Sequence, residues 1–184
     1  MIWNILQYVF CTMPFVLPLA LYKSRRPFMT AFYVAMTRSN KARKLYVQVC
    51  LILLLLFHYI YTCGHSGQFS ILLSTTVCAA MFSFRLTDNC LRRLQSSPRA
   101  FVTIALAVLP TIFSSYLHTT AVTASYLLLA AMFYPSVRIM ARCKQTDVLS
   151  EWAKHPELLS EIYHDHHHAK LPHDADSGNP VTSA

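Results

Sequence analysis

Residues 45–62 read LYVQVCLILLLLFHYIYT, with the run LILLLLF at 51–57 in their centre and no acid or base anywhere among them. A helix crossing the hydrocarbon core needs about 17–25 predominantly apolar residues, so this stretch is long enough to span a bilayer. On its N-terminal side stand Arg38, Lys41, Arg43 and Lys44; on its C-terminal side stands CGHSGQ (63–68), without a charge. Four further apolar stretches share the pattern, at 2–22, 68–86, 100–117 and 119–137. Lipid offers the backbone no hydrogen-bond partner, so each stretch is expected to be helical. The fold expected is therefore all-α: a polytopic helical membrane protein of about five transmembrane helices, bundled in residues 1–143, with a short cytoplasmic helical tail.

Composition agrees. Apolar residues make up 54% of the 184 positions and charged residues only 13%, about half the share usual in soluble domains. These figures exclude a disordered chain, a collagen-like chain and an ordinary cytosolic enzyme. The net charge of +8 would in another setting suggest nucleic acid. Here the basic residues flank apolar runs, and nucleic acid is not an expected partner.

The charges also orient the chain. Basic residues cluster at 23–44, 85–99 and 138–144, while 63–68 and the turn near His118 have none. By the positive-inside rule the basic segments are cytoplasmic, which places the N-terminus outside and the tail inside. The first stretch has no charge before Lys23, an order that suits an uncleaved helix better than a signal peptide. Pro14 and Pro18 weaken that helix and leave a kinked or re-entrant segment as the alternative. Residues 27–37, PFMTAFYVAMT, are too short to cross. With Phe28, Phe32 and Met36 at four-residue spacing, they read as a helix lying on the cytoplasmic leaflet.

The membrane part offers little chemistry. Apart from Arg85 at the end of 68–86, whose side chain can reach the headgroups, no Asp, Glu, Lys or Arg lies in an expected span, which argues against coupled transport and intramembrane acid–base catalysis. His58 is read as an interfacial ring beside Tyr59 and Tyr61, where phenylalanine would serve as well. His65 and His118 lie in outer turns and with His58 could form an outward metal site. Ser70, Ser74 and Cys78 recur every four residues and form a small-residue face for helix packing. The six cysteines include no CxxC pair, so neither a disulfide framework nor a cysteine zinc site is expected.

The tail, 144–170, carries an amphipathic pattern. Trp152, Leu159 and Ile162 lie on its apolar side and are the expected interaction residues. Pro156 and Glu157 restart a helix there. Residues 171–184, LPHDADSGNPVTSA, are polar and expected to be disordered. Six of the nine histidines fall after position 150. His164, His167 and His168 form HxxHH, with Pro172 soon after, and are the candidate metal ligands. The stretch from His155 to Pro172 resembles one histidine box of the membrane-bound sterol desaturase and fatty-acid hydroxylase family, whose members hold a pair of irons. That resemblance implies a metal-dependent enzyme acting on lipid. The chain departs from the family at Glu151, where a further histidine is expected, and has no second HxxHH box.

The leading expectation is a non-enzymatic accessory or regulatory protein of the cytoplasmic membrane. It would act by contact with another membrane protein or a second copy, like an exclusion or immunity factor or a subunit of a secretion or transfer machine. The metal-dependent lipid enzyme is the alternative, and a small transporter or channel the third reading. No cofactor is expected beyond adventitious zinc or iron at the tail histidines.

Overall fold

The computed structural model describes residues 2–22, 24, 26–63, 69–112, 114, 116–142, 159, 160, 163 and 164, and every regular element among them is helical. The helices are α1 (Ile2–Leu21), α2 (Pro27–Arg38), α3 (Asn40–Thr62), α4 (Phe69–Met81), α5 (Phe84–Ser96), α6 (Pro98–Thr111), α7 (His118–Met132) and α8 (Val137–Arg142).

Helix α3 contains the 45–62 stretch and extends it toward the basic cluster. Ser39 caps it, its hydroxyl accepting from the Ala42 amide at 3.2 Å, which satisfies one of the orphan donors of a first turn. At 1.5 Å per residue its 23 residues reach about 35 Å, beyond the ~30 Å hydrocarbon core. It is the one helix among the described residues long and apolar enough to cross a membrane by itself.

The other expected spans are shorter or broken. The stretch 68–86 is interrupted at Phe82–Ser83, where α4 and α5 meet at 104°; together they count as one bent candidate span. The Met81 carbonyl, released from the helical ladder at this break, accepts the Thr87 hydroxyl at 3.2 Å. Residues 85–99 read as a loop in sequence but lie mostly in α5, with Thr87, Leu91 and Gln95 buried along one face. The stretch 100–117 becomes α6, which starts at Pro98 and ends at Thr111. The stretch 119–137 becomes α7 and stops at Met132. Pro135 explains this stop, since it lacks an amide donor and disfavours helical geometry at Tyr134 before it.

Helix α7 is the hub, packed against α1, α3, α4, α5 and α6. Its buried residues are small or hydroxylic over most of its length: Thr119, Ala121, Thr123, Ser125, Ala130 and Ala131. Such side chains let neighbouring backbones approach closely. Threonine and serine hydroxyls in it bond back to carbonyls one turn earlier, Thr123 to Thr119 at 2.8 Å and Ser125 to Ala121 at 2.9 Å.

The distribution of polarity is unusual for a water-soluble bundle. Leu19, Ile52, Leu72, Phe82 and Leu106 are all more than 60% exposed. Meanwhile Arg43, His58, Ser70, Ser74, Thr119 and Thr123 are buried. Helix α2 buries part of the face its Phe28–Phe32–Met36 spacing marks: Met36 is in the core and Phe32 packs against it. Met29, Tyr33 and Met36 enter the core, and Phe28 is half exposed.

Candidate functional site

Backbone gaps and helix ends explain where the buried polar side chains go. Pro14 has no amide proton, so the Phe10 carbonyl of α1 loses its helical donor. The Tyr126 hydroxyl of α7 replaces it at 2.9 Å. At the end of α7, the Ala130 carbonyl accepts from the Tyr46 hydroxyl at 3.2 Å, and the Phe133 carbonyl from the Tyr163 hydroxyl at 2.7 Å. At the end of α2, the Met36 and Thr37 carbonyls accept from one Arg43 guanidinium nitrogen at 2.8 and 3.3 Å. Cations and phenols thus close helix termini that would otherwise leave unsatisfied carbonyls.

Around Arg43 lies the most highly charged group of side chains among the described residues. Asp88, the one acid before position 147, projects from α5. It receives Arg92 of the same helix, with Nη2 at 2.9 Å from Oδ1 and 2.6 Å from Oδ2. It also accepts the Tyr134 hydroxyl from the turn after α7. Arg43 is within electrostatic reach of that hydroxyl. The Nε atoms of Arg43 and Arg92 are buried without a partner among the described residues. Asp88 thus carries the one carboxylate among the described residues, paired with Arg92 and bonded to Tyr134 where α5 meets the end of α7.

A second polar group joins α3 to α4. His58 is buried rather than interfacial, which corrects its sequence reading. Its Nδ1 lies 2.8 Å from the Leu54 carbonyl and its Nε2 lies 2.6 Å from the Ser74 hydroxyl. Because a carbonyl only accepts, Nδ1 carries a proton; the Ser74 hydroxyl, with one proton to give, lies between His58 Nε2 and the Ile71 carbonyl at 3.0 Å. Cys78 Sγ sits 3.9 Å from the same ring. Ser70, Ser74 and Cys78 all lie at the helix contact, at most 1% exposed. The Ser70 carbonyl accepts from Thr120 of α7 at 3.3 Å. Imidazole beside a serine hydroxyl could activate a nucleophile. Ser74, however, is fully buried at 0% exposure, so a substrate carbonyl would reach it only by separating α3 from α4. The pair is an interhelical clamp. We expect a His58→Ala/Ser74→Ala double-mutant cycle to give a coupling of about 0.5–1.5 kcal/mol in detergent unfolding. Additive losses would show that the two side chains do not act together.

The third group holds the tail. Leu159 and Tyr163 are buried in the same core cluster as Met29, Tyr33, Met36 and Tyr134. The Tyr33 and Tyr163 rings lie 4.3 Å apart between centroids. His164 Nε2 is 3.1 Å from the Tyr33 hydroxyl, and its ring packs on Tyr22 at 4.5 Å. Burial pushes the Tyr33 hydroxyl up to about 12, with Tyr22 adding to the shift, so at neutral pH it keeps its proton and can donate to His164.

Several sequence expectations change here. Leu159, expected on a partner-facing surface, is 1% exposed and consumed by the chain's own core. His164, expected as a metal ligand, has its Nε2 at hydrogen-bond distance from Tyr33. His118 does not join His58 in an outward metal site. Its Nδ1 is 2.9 Å from the Ile112 carbonyl at the end of α6, its Nε2 is 3.6 Å from Cys11 Sγ, and its ring stacks on Tyr61. No group of three or more histidine, cysteine, aspartate or glutamate side chains suited to a metal occurs among the described residues. Trp152, Ile162, His65, His167 and His168 lie outside the described residues, as do 143–158 and 165–184. Sequence reading missed Tyr33, Arg43, Asp88 and Tyr134 as members of buried clusters. Asp88 carried a signal, being the lone acid of residues 1–143. No protein-family model, curated protein or solved structure matches the chain.

Proposed function

We propose that the chain is a multi-pass protein of the cytoplasmic membrane, without catalytic chemistry of its own, that acts by contact with another membrane protein. The observation that carries this reading is the number of large apolar side chains on the outside of the bundle. Soluble monomers rarely expose contiguous apolar patches beyond a few hundred Å². Here large aliphatic and aromatic side chains face outward on α1 and on α3 to α6. The interior is itself largely apolar, and the polar groups buried in it are mainly hydroxyls, together with His58 and Arg43. In lipid the outward side chains would be solvated, and the interior hydroxyls would bond to backbone carbonyls as polar groups do between membrane helices.

The orientation proposed has the N-terminus outside and the tail inside, from the basic clusters at 23–44, 85–99 and 138–144. Shorter helices such as α6 would then cross with local thinning of the bilayer or with snorkelling at their ends. Docking of Leu159, Tyr163 and His164 would hold the tail on the cytoplasmic face and so bring residues 144–158 to a partner. Reporters fused at Asn89 and Lys144 are expected to read cytoplasmic, and those at Gly64 and Thr119 external. A cytoplasmic signal at Gly64 would overturn the hairpin between α3 and α4, and with it the multi-pass reading. Crosslinking from native membranes, with variants of residues 144–158 as controls, tests the contact itself.

A further inference from the structure

Helices α5, α6 and α7 enclose a groove of about 640 Å³. Its walls are aliphatic, from Ile104 of α6 and Leu127 and Leu128 of α7, while Asn89, Arg93 and Ser97 add polar groups from α5 and the link to α6. Arg93 is exposed. Asp88, on the same helix, is held by Arg92 and Tyr134, and Arg93 has no carboxylate within ion-pair distance among the described residues. An exposed guanidinium, an amide and a hydroxyl therefore accompany an aliphatic trough.

We propose that this groove binds one anionic glycerophospholipid, with its phosphate on Arg93 and an acyl chain along α6 and α7. The volume is within the range of small-ligand pockets, about 300–1,000 Å³. A free anion would leave the aliphatic walls unused, and an uncharged hydrocarbon would leave the guanidinium unused. An amphiphile with an anionic head uses both. Basic pockets between membrane helices on the cytoplasmic side bind anionic headgroups in this way. The assignment rests on the membrane reading above, which places Arg93 at the inner headgroup level.

The test uses the full chain reconstituted in vesicles of equal phosphatidylglycerol and phosphatidylcholine, extracted in mild detergent and weighed by native mass spectrometry. One phosphatidylglycerol per chain should be retained, preferred over phosphatidylcholine by about fivefold for one surface cation. Arg93→Gln should abolish the preference. Ile104→Trp, which fills the trough, should remove both lipids without altering charge. Arg99→Gln, exposed and outside the groove, should leave the preference intact. Absence of retained lipid from the wild-type chain, or equal losses in Arg93→Gln and Arg99→Gln, would overturn the site while leaving the membrane reading standing. So would a wild-type dimer made monomeric by Ile104→Trp, because a second copy would then fill the groove. Failure of the chain to enter vesicles would overturn both.

Discussion

Replacing Asp88 with asparagine is expected to destabilise the bundle by about 3 kcal/mol, the low end of the cost of removing one partner from a buried ion pair, because this pair is only partly buried. The carboxylate accepts from Arg92 and Tyr134, and its side chain is only 14% exposed. Asparagine keeps the shape but removes the charge. Arg92 then remains partly buried with no carboxylate within ion-pair distance among the described residues. Tyr134→Phe, which removes one hydrogen bond to a charged group, should cost less, about 1.5–3 kcal/mol. The double variant Asp88→Asn/Arg92→Gln should recover much of the loss, because it removes the unpaired cation together with its partner. Thermal unfolding in detergent at matched protein concentration measures all three. Equal stability of Asp88→Asn and wild type would mean that the carboxylate does not hold α5 to the end of α7.

The second large effect is expected at the docked tail. Tyr163→Ala should cost about 3–5 kcal/mol and Leu159→Ala about 2–5 kcal/mol, as for other large-to-small changes in a packed core. Tyr163 contributes both its ring against Tyr33 and its hydroxyl to the Phe133 carbonyl. A chain ending at residue 158 should lose both contributions and become protease-sensitive around α2. A chain ending at Lys170 should match wild type, since it retains Leu159, Tyr163 and His164. If the 158 truncation and wild type resist proteolysis equally, the tail is not part of the core.

How far this organisation was legible depended on the distance over which each signal acts. The apolar run at 51–57 and the basic residues before it revealed α3, because hydrophobicity and charge are local properties. Pro27 and Pro98 likewise mark the starts of α2 and α6. Pro14 announced an orphaned carbonyl at Phe10, but nothing local named Tyr126 as the donor that would reach it. The break at Phe82–Ser83 has neither proline nor glycine and so escaped notice. In α5 the buried positions are Thr87, Leu91 and Gln95, one leucine between two polar residues, and hydrophobic periodicity cannot expose such a face. Leu159 was recognised as apolar, yet composition alone did not distinguish burial by the chain itself from burial by a partner.

The contact between Tyr33 and His164 joins positions 131 residues apart. At a synthesis rate of about 5–20 residues per second, some 7–26 s separate the appearance of the two side chains. During that interval α2 is complete while its aromatic face still awaits Tyr163 and His164. The bundle therefore cannot finish its core helix by helix as it is made, and this closing step waits until His164 has been synthesised. A helper that shields the Tyr33 face would be needed only within that window, and a ribosome stalled before residue 159 would leave that face uncovered.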